Sequence, residues 1–138
     1  MADTPEARAR QNIDQLLTDA GWIVQSREDA NLTAGRGVAI REFPMKPGFG
    51  EADYLLYVEG QAVGVVEAKK EGSTLTGFEI QTTKYSEGLP DSLPAPRRPL
   101  PFCYQSTGVE TRFTNLLEPD AASRTCSPFI GQRRLPSG

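Results

Sequence analysis

The sequence contains no histidine, and this absence excludes several catalytic mechanisms from the chain. Ser-His-Asp and Cys-His nucleophilic mechanisms, a histidine general base and histidine-containing nuclease motifs all need an imidazole. Any hydrolytic chemistry must therefore use carboxylates, lysine, tyrosine and metal ions.

Cysteine and long apolar runs are also scarce. The two cysteines, Cys103 and Cys126, lack metal-ligand spacing, and we expect them to be reduced thiols of a cytoplasmic protein. No apolar stretch approaches the ~20 residues that a membrane-spanning helix needs. With 138 residues, of which 38% are hydrophobic, the chain has room for one domain with a single sizeable core.

Basic residues do not outnumber acidic ones either. The net charge is -3 and the sequence pI is near 5.0, whereas proteins that bind DNA on their own commonly carry basic stripes. The chain also lacks the Gly-x-x-x-x-Gly-Lys-[Ser/Thr] phosphate loop of a nucleotide-driven motor. These absences argue against a chain that binds DNA strongly or is driven by nucleotides on its own.

The chain does contain two β-like runs, residues 51–58 and 62–70, that predict a hairpin. The second run includes Glu67 and Lys69, which fall on one side of a strand because side chains alternate with period two. A hairpin would bring Asp53 alongside them. Burying charge costs several kcal/mol unless a ligand or mutual pairing compensates it, so this cluster predicts a bound cation.

Mg²⁺ is the cation that this set of groups favours, because it prefers oxygen ligands and takes only one or two carboxylates. We expect Asp53 and Glu67 to hold the metal, with the Ala68 carbonyl as a third oxygen ligand. The metal would polarise a phosphate oxygen and lower the pKa of a bound water, and Lys69 would position that water and offset charge on the phosphorane. The set therefore points to hydrolysis of a phosphodiester.

The competing interpretation is an ordinary hairpin whose charged residues face water. Val63 and Val65 argue against it, because alternation predicts that they share the face of Glu67 and Lys69, and an apolar face is a buried face. A Glu-x-Lys sequence alone is too common to decide between the two interpretations.

The length of the turn sets a geometric condition on the site. A two-residue turn at 59–60 would pair Asp53 with Val66 and leave Glu67 on the opposite face. Asp53 and Glu67 can therefore lie on the same face only if the hairpin has a three-residue loop or a β-bulge in one strand.

Together, residues 50–58 and 63–72 resemble the nuclease core of type I restriction enzyme R subunits, a family of the PD-(D/E)xK nuclease superfamily. Residues 37–43 and 101–115 resemble the flanking segments of that family. Ala52 stands before Asp53 where the superfamily signature has proline, at a position that varies widely. The resemblance runs from about residue 4 to residue 115, and it implies an Mg²⁺-dependent endonuclease domain that cleaves double-stranded DNA.

The same resemblance suggests further site residues. Gln81 and Tyr85 match the family's Q-x-x-x-Y motif and would bind DNA phosphate or orient a catalytic side chain from one face of a helix. Many relatives carry a catalytic glutamate on their first helix, and Glu6 is the candidate here, although it also suits the positive end of the helix dipole.

The resemblance implies partners too. The family works as an ATP-dependent complex with methyltransferase and specificity subunits, and a motor follows the nuclease on the same polypeptide. We therefore expect this chain to be the amino-terminal piece of a longer protein. Residues 1–117 are predicted to form the nuclease domain, and residues 118–138 an extension or linker toward the motor.

The predicted fold is an α/β domain whose central mixed sheet is flanked by helices on both sides, with a restriction-endonuclease-like core. Besides the hairpin, the patterns predict a helix from residue 5 to about residue 20, a helix over residues 75–88, and strands at 38–43, 102–104 and 109–114. Residues 22–24 are predicted to be either a short strand or packing that closes the first helix.

Two other functions stay open on the sequence. One is a nuclease of the same superfamily that acts on a repair or recombination intermediate, which the family-like segment at 101–115 disfavours. The other is a non-catalytic DNA-binding or scaffold module, which the complete set of Asp53, Glu67 and Lys69 disfavours.

Overall fold

In the part of the chain that the structure describes, seven strands form one mixed sheet in which every strand lies beside its neighbours in the sequence. The computed structural model describes residues 4–70, 72, 87–90, 93, 95, 100, 102–115 and 124–126. The strands are β1 (Ile23–Gln25), β2 (Gly37–Pro44), β3 (Glu51–Val58), β4 (Gln61–Ala68), β5 (Phe102–Ser106), β6 (Thr111–Asn115) and β7 (Arg124–Cys126). The pairs β1–β2 and β4–β5 are parallel, and the other neighbouring pairs are antiparallel.

Helix α1 (Pro5–Asp19) begins where the sequence predicts. The Thr4 side chain accepts a hydrogen bond from the Ala7 amide at 3.0 Å, and Pro5 occupies the first turn, where its missing N–H is not needed. Gly21 follows the helix with a φ of 98°, a left-handed conformation that glycine adopts without steric cost. A short 3₁₀ turn, Arg27–Asp29, lies between β1 and β2.

Two apolar clusters cover the two faces of the sheet. In the first, Ile13 and Leu17 of α1 pack against sheet residues that include Tyr54, Val66 and Tyr104. The second cluster lies on the other face and includes Leu55, Val65 and Cys103, with Leu89 and Leu100 from the segment between β4 and β5. Both faces of the central strands are therefore buried, as expected for a sheet with layers on either side.

The predicted fold class, an α/β domain with a central mixed sheet, is confirmed. Strand limits differ in places: β6 begins at Thr111 rather than residue 109, because Gly108 turns the chain with a φ of 86° and Val109 is 68% exposed. Cys103 is buried in the second cluster, and the prediction that both cysteines are reduced stays a prediction. No helix within the described ranges is long and apolar enough to cross a membrane.

The predicted helix at 75–88 lies largely outside the described residues. The division of the chain into a domain at 1–117 and an extension at 118–138 stays a prediction; of the extension the structure describes Arg124–Cys126, which pair with β6 as strand β7.

Candidate active site

The β3–β4 hairpin carries the predicted site and turns tightly. Val58 pairs with Gln61, which leaves only Glu59 and Gly60 in the turn. Both turn residues have left-handed backbones, with φ of 51° for Glu59 and 81° for Gly60. That combination is typical of a type I′ turn, whose twist matches the twist of the paired strands.

A β-bulge corrects the register that this short turn would impose. The pairing shifts between Leu56 and Tyr57, so that Leu56 pairs with Gly64 and Tyr54 with Val66. The ladder ends at the Tyr54–Val66 pair, and its register, extended by one residue, would set Asp53 across from Glu67. Of the two geometries that could bring the carboxylates together, the hairpin uses the bulge and not the longer loop.

The bulge also overturns one prediction about the faces. Val63 packs in the cluster that includes α1, whereas Val65 packs in the cluster on the other side of the sheet. The prediction that both valines share the face of Glu67 is therefore wrong for Val63, because the extra residue of the bulge reverses the alternation between them.

Asp53 is held on both of its carboxylate oxygens. Oδ2 accepts a hydrogen bond from the Ala68 amide at 2.8 Å, and Oδ1 accepts one from Arg10 Nη2 at 2.6 Å. The alternation of β3 is interrupted here, since Ala52 packs with the cluster of Leu55 while Tyr54 packs with the α1 cluster. This break allows Asp53 to reach from the helix side of the sheet to the end of β4.

Glu67 and Lys69 form an ion pair at the end of β4. The distance from Lys69 Nζ to Glu67 Oε1 is 3.1 Å, and the Glu67 side chain is only 3% exposed. Glu67 lies beside Gln105 of β5 in the parallel ladder, and Lys69 donates its amide to the Ser106 carbonyl at 2.9 Å. A carboxylate this deeply buried requires a cationic partner, and here the predicted catalytic lysine supplies it.

Arg10 is a site residue that the sequence prediction did not include. Besides Asp53, it contacts Glu42 of β2 through Nη1 at 3.0 Å. Partial burial opposes the charge of Arg10, but the hydrogen bond and charge of Asp53 outweigh it, so that its pKa is raised. A signal was available in the sequence: Arg10 precedes Ile13 by three residues and Leu17 by seven, which places a charge on the buried stripe of α1.

A second polar group ties α1 to the sheet next to the site. Arg41 contacts both oxygens of Asp14 at 2.9–3.2 Å, and the Tyr54 hydroxyl donates to Asp14 Oδ1 at 2.6 Å. Burial and the hydrogen bond to Asp14 raise the pKa of the Tyr54 phenol well above its ordinary value. Since Tyr54 directly follows Asp53, this group fixes the part of β3 that carries the predicted metal ligand.

The remaining predicted residues cannot be placed. Gln81 and Tyr85 lie outside the described residues, and so does the side chain of Glu6, although its backbone belongs to α1. Within the described part of the chain, no group of three or more carboxylate, cysteine or histidine side chains is arranged to hold a metal ion. The predicted set has two carboxylates and one carbonyl, and the assignment of its roles stays a prediction.

One comparison with known proteins identifies a family. A family model described as "Type I restriction enzyme EcoKI endonuclease subunit second domain" matches residues 18–97, which include the hairpin. No curated protein matches the sequence.

A solved structure has a similar fold. It is described as a fragment of an HsdR subunit of a type I restriction enzyme from Vibrio vulnificus YJ016, and it matches with a TM-score of 0.65 and 22% identity. The match covers 94% of this chain and 24% of the solved one, so this chain spans about a quarter of that length.

Proposed function

This chain belongs to the family of type I restriction enzyme endonuclease-subunit domains, and on that basis we propose that it is a nuclease domain that cleaves double-stranded DNA. The observation that carries the proposal is the buried Glu67 at the end of β4, whose carboxylate pairs with Lys69 Nζ at 3.1 Å, while Asp53 of β3 accepts a hydrogen bond from the intervening Ala68 amide. A buried carboxylate is costly in a purely structural role, so this grouping of two acids and a lysine along one segment of backbone favours catalysis.

The groups present suit a magnesium ion. Asp53 and Glu67 offer hard oxygen ligands, the Ala68 carbonyl offers a third, and Mg²⁺ needs only one or two carboxylates because it keeps several waters. When bound, the ion would supply polarisation of a phosphate oxygen and a more acidic water.

The residues of this chain have separate tasks in the proposed mechanism. The Ala68 amide orients the Asp53 carboxylate through a hydrogen bond of 2.8 Å. Lys69 neutralises Glu67 before substrate arrives, and its ammonium then lies where it can hold a water for attack and offset negative charge on the phosphorane. Gln81 and Tyr85 are proposed to contact DNA phosphate or to orient one of these side chains.

The proposed partners follow from the acidic charge and from the family. A chain with a net charge of -3 has little attraction for DNA. We propose that the motor of the same polypeptide and the methyltransferase and specificity subunits deliver DNA to this domain in an ATP-dependent complex.

Cleavage of plasmid DNA by the complete enzyme tests the proposal. The Glu67→Gln enzyme, which keeps the shape of the side chain but loses its charge, is expected to lose cleavage while Mg²⁺ and ATP are present. Glu59→Gln is a matched control, because Glu59 lies in the turn at the other end of the hairpin. Equal cleavage by both variants would show that the catalytic carboxylates lie elsewhere.

A further inference from the structure

Arg10 lies between two carboxylates that belong to neighbouring strands. Its Nη1 contacts Glu42 Oε1 of β2 at 3.0 Å, and its Nη2 contacts Asp53 Oδ1 of β3 at 2.6 Å. One guanidinium, carried by α1, therefore bridges a proposed metal ligand and an acid that has no proposed role. The fork of an arginine suits this arrangement, because its N–H groups can serve two acceptors at once.

The two carboxylates differ in exposure. The Asp53 side chain is 17% exposed and the Glu42 side chain is 57% exposed, while Arg10, at 42%, reaches the solvent between them. Because the Ala68 amide holds the second oxygen of Asp53, a cation that arrives at this carboxylate competes with Arg10. Like charges repel at such distances, so the contact of Arg10 with Asp53 is the one that must weaken.

Glu42 adopts a backbone conformation that a strand does not require. Its φ is 52°, in the left-handed region, although it lies inside β2 between Arg41, which pairs with Tyr54, and Phe43, which pairs with Ala52. This conformation is sterically unfavourable for a residue other than glycine and persists only where the surroundings impose it. The strained position directs Glu42 to Arg10.

From these contacts we propose that Arg10 is a DNA-positioning residue that responds to the divalent cation. Without the cation, Arg10 clamps Asp53. When the cation neutralises Asp53, Arg10 stays on Glu42 and turns its released N–H groups toward a phosphate of bound DNA. The inference rests on the proposed nuclease function and assigns to Arg10 and Glu42 a joint role in it.

Calcium binding to the 138-residue chain tests the clamp, that is the contact of Arg10 with Asp53, without DNA cleavage. In isothermal titration with Ca²⁺, Arg10→Gln is expected to bind the ion roughly fivefold more tightly than the unaltered chain, because the competing charge is gone. Arg36→Gln is the matched control, since Arg36 pairs with Glu59 at 3.6 Å at the far end of the hairpin, and it should leave the affinity unchanged.

Glu42→Gln should have the opposite effect. Without the Glu42 carboxylate, Arg10 should stay paired with Asp53, so Ca²⁺ should bind at Asp53 more weakly. In the Arg10→Gln background the same change should matter less, and this difference in a double-mutant cycle separates the clamp from the general effect of removing a negative charge. If Arg10→Gln fails to fold, Arg10→Lys, which can contact only one carboxylate well, should shift Ca²⁺ affinity in the same direction by a smaller factor.

Binding of a labelled DNA duplex supplies the second measurement. With Ca²⁺ present, Arg10→Gln should bind duplex several-fold more weakly, and the slope of log affinity against log salt should fall by about 0.9, the value for one phosphate contact. With a chelator in place of Ca²⁺, the two chains should bind alike, because Arg10 is then engaged by Asp53.

The outcomes distinguish the two proposals. Unchanged Ca²⁺ affinity in Arg10→Gln, or the same loss of DNA affinity with and without Ca²⁺, would overturn the role of Arg10 and leave the nuclease proposal in place. An unaltered chain that binds no Ca²⁺ would overturn the metal site itself, and the clamp with it.

Discussion

Asp53 and Ala68 are joined across the hairpin by a hydrogen bond of 2.8 Å from the Ala68 amide to the Asp53 carboxylate. Ala68 stands between Glu67 and Lys69, so this one bond fixes the acid of β3 against the Glu-x-Lys segment of β4. The relative position of the predicted catalytic groups therefore depends on the backbone of β4 as well as on the side chains.

Alanine substitutions should separate cleavage from movement along DNA. Asp53→Ala, Glu67→Ala and Lys69→Ala are each expected to abolish cleavage by the full-length enzyme, while ATP-driven translocation continues because it would reside in another domain. A variant that combines two of these substitutions should be little worse than either substitution alone, since the effects of removing residues that act as a unit are not additive. Single-turnover cleavage and a triplex-displacement assay measure the two activities, and loss of both together would contradict the separation.

The chain alone should bind DNA weakly. Its net charge of -3 leaves few phosphate contacts, so the slope of log affinity against log salt should be shallow, about -0.9 for each neutralised phosphate. Titration of a labelled duplex over a range of salt concentrations, with Ca²⁺ in place of Mg²⁺, measures this slope. Nanomolar binding with a steep slope would instead favour a nuclease that works by itself.

Gly64→Ala should destabilise the sheet. A Cβ at Gly64 would collide with the carbonyl oxygen of Phe102 on the neighbouring strand β5, and backbone cannot move aside cheaply. We expect the free energy of unfolding to fall by about 3 kcal/mol, as for overpacking of a core. Gly48→Ala is the control: its Cβ meets nothing within 4 Å, so only its φ of 88° costs energy, about 1–2 kcal/mol. Urea denaturation of both variants makes the comparison, and equal losses would contradict it.

The stability of the domain should fall above pH 10. Burial raises the pKa of Tyr54 and Tyr57 above the ordinary tyrosine value of 10.0, and Asp14 raises that of Tyr54 further. Above pH 10 the unfolded chain releases these protons before the folded one does, so both tyrosines lower the free energy of unfolding as the pH rises, Tyr54 by up to about 1.4 kcal/mol per pH unit.

Tyr54→Phe should remove one of these two contributions and make the decline above pH 10 shallower. Tyr57→Phe is the matched variant and should remove the other. Urea denaturation at pH values from 9 to 11 measures the slopes. An unchanged slope in Tyr54→Phe would show that the phenol ionises as readily in the folded chain as in the unfolded one.

Local signals explain what the sequence predicts well. The start of α1 follows from Thr4 and Pro5, whose roles depend only on residues within one turn. The hairpin follows from two apolar runs and a short polar turn. The family resemblance rests on residues of the same hairpin, and membership of the family is confirmed.

Tertiary contacts explain what the sequence could not fix. Both a longer loop and a bulge satisfied the geometry required of Asp53 and Glu67, and the bulge that forms leaves Val63 in the apolar cluster that includes α1. Arg10 and Glu42 are 32 residues apart in the chain, and no local pattern links them. The roles of Asp53, Glu67 and Lys69, and of Gln81 and Tyr85, stay predictions.

Because of the bulge in β4, the length of the hairpin decides whether a related sequence can bring its two acids to the same face of the sheet. Because the turn has two residues and the side chains alternate, one residue fewer between Asp53 and Glu67 would carry the second acid to the other face of the sheet. A relative could thus retain both acids and the lysine and still lack an assembled site. The number of residues between the two acids, together with the length of the turn, would distinguish relatives with a competent site from inactive ones on their sequences alone.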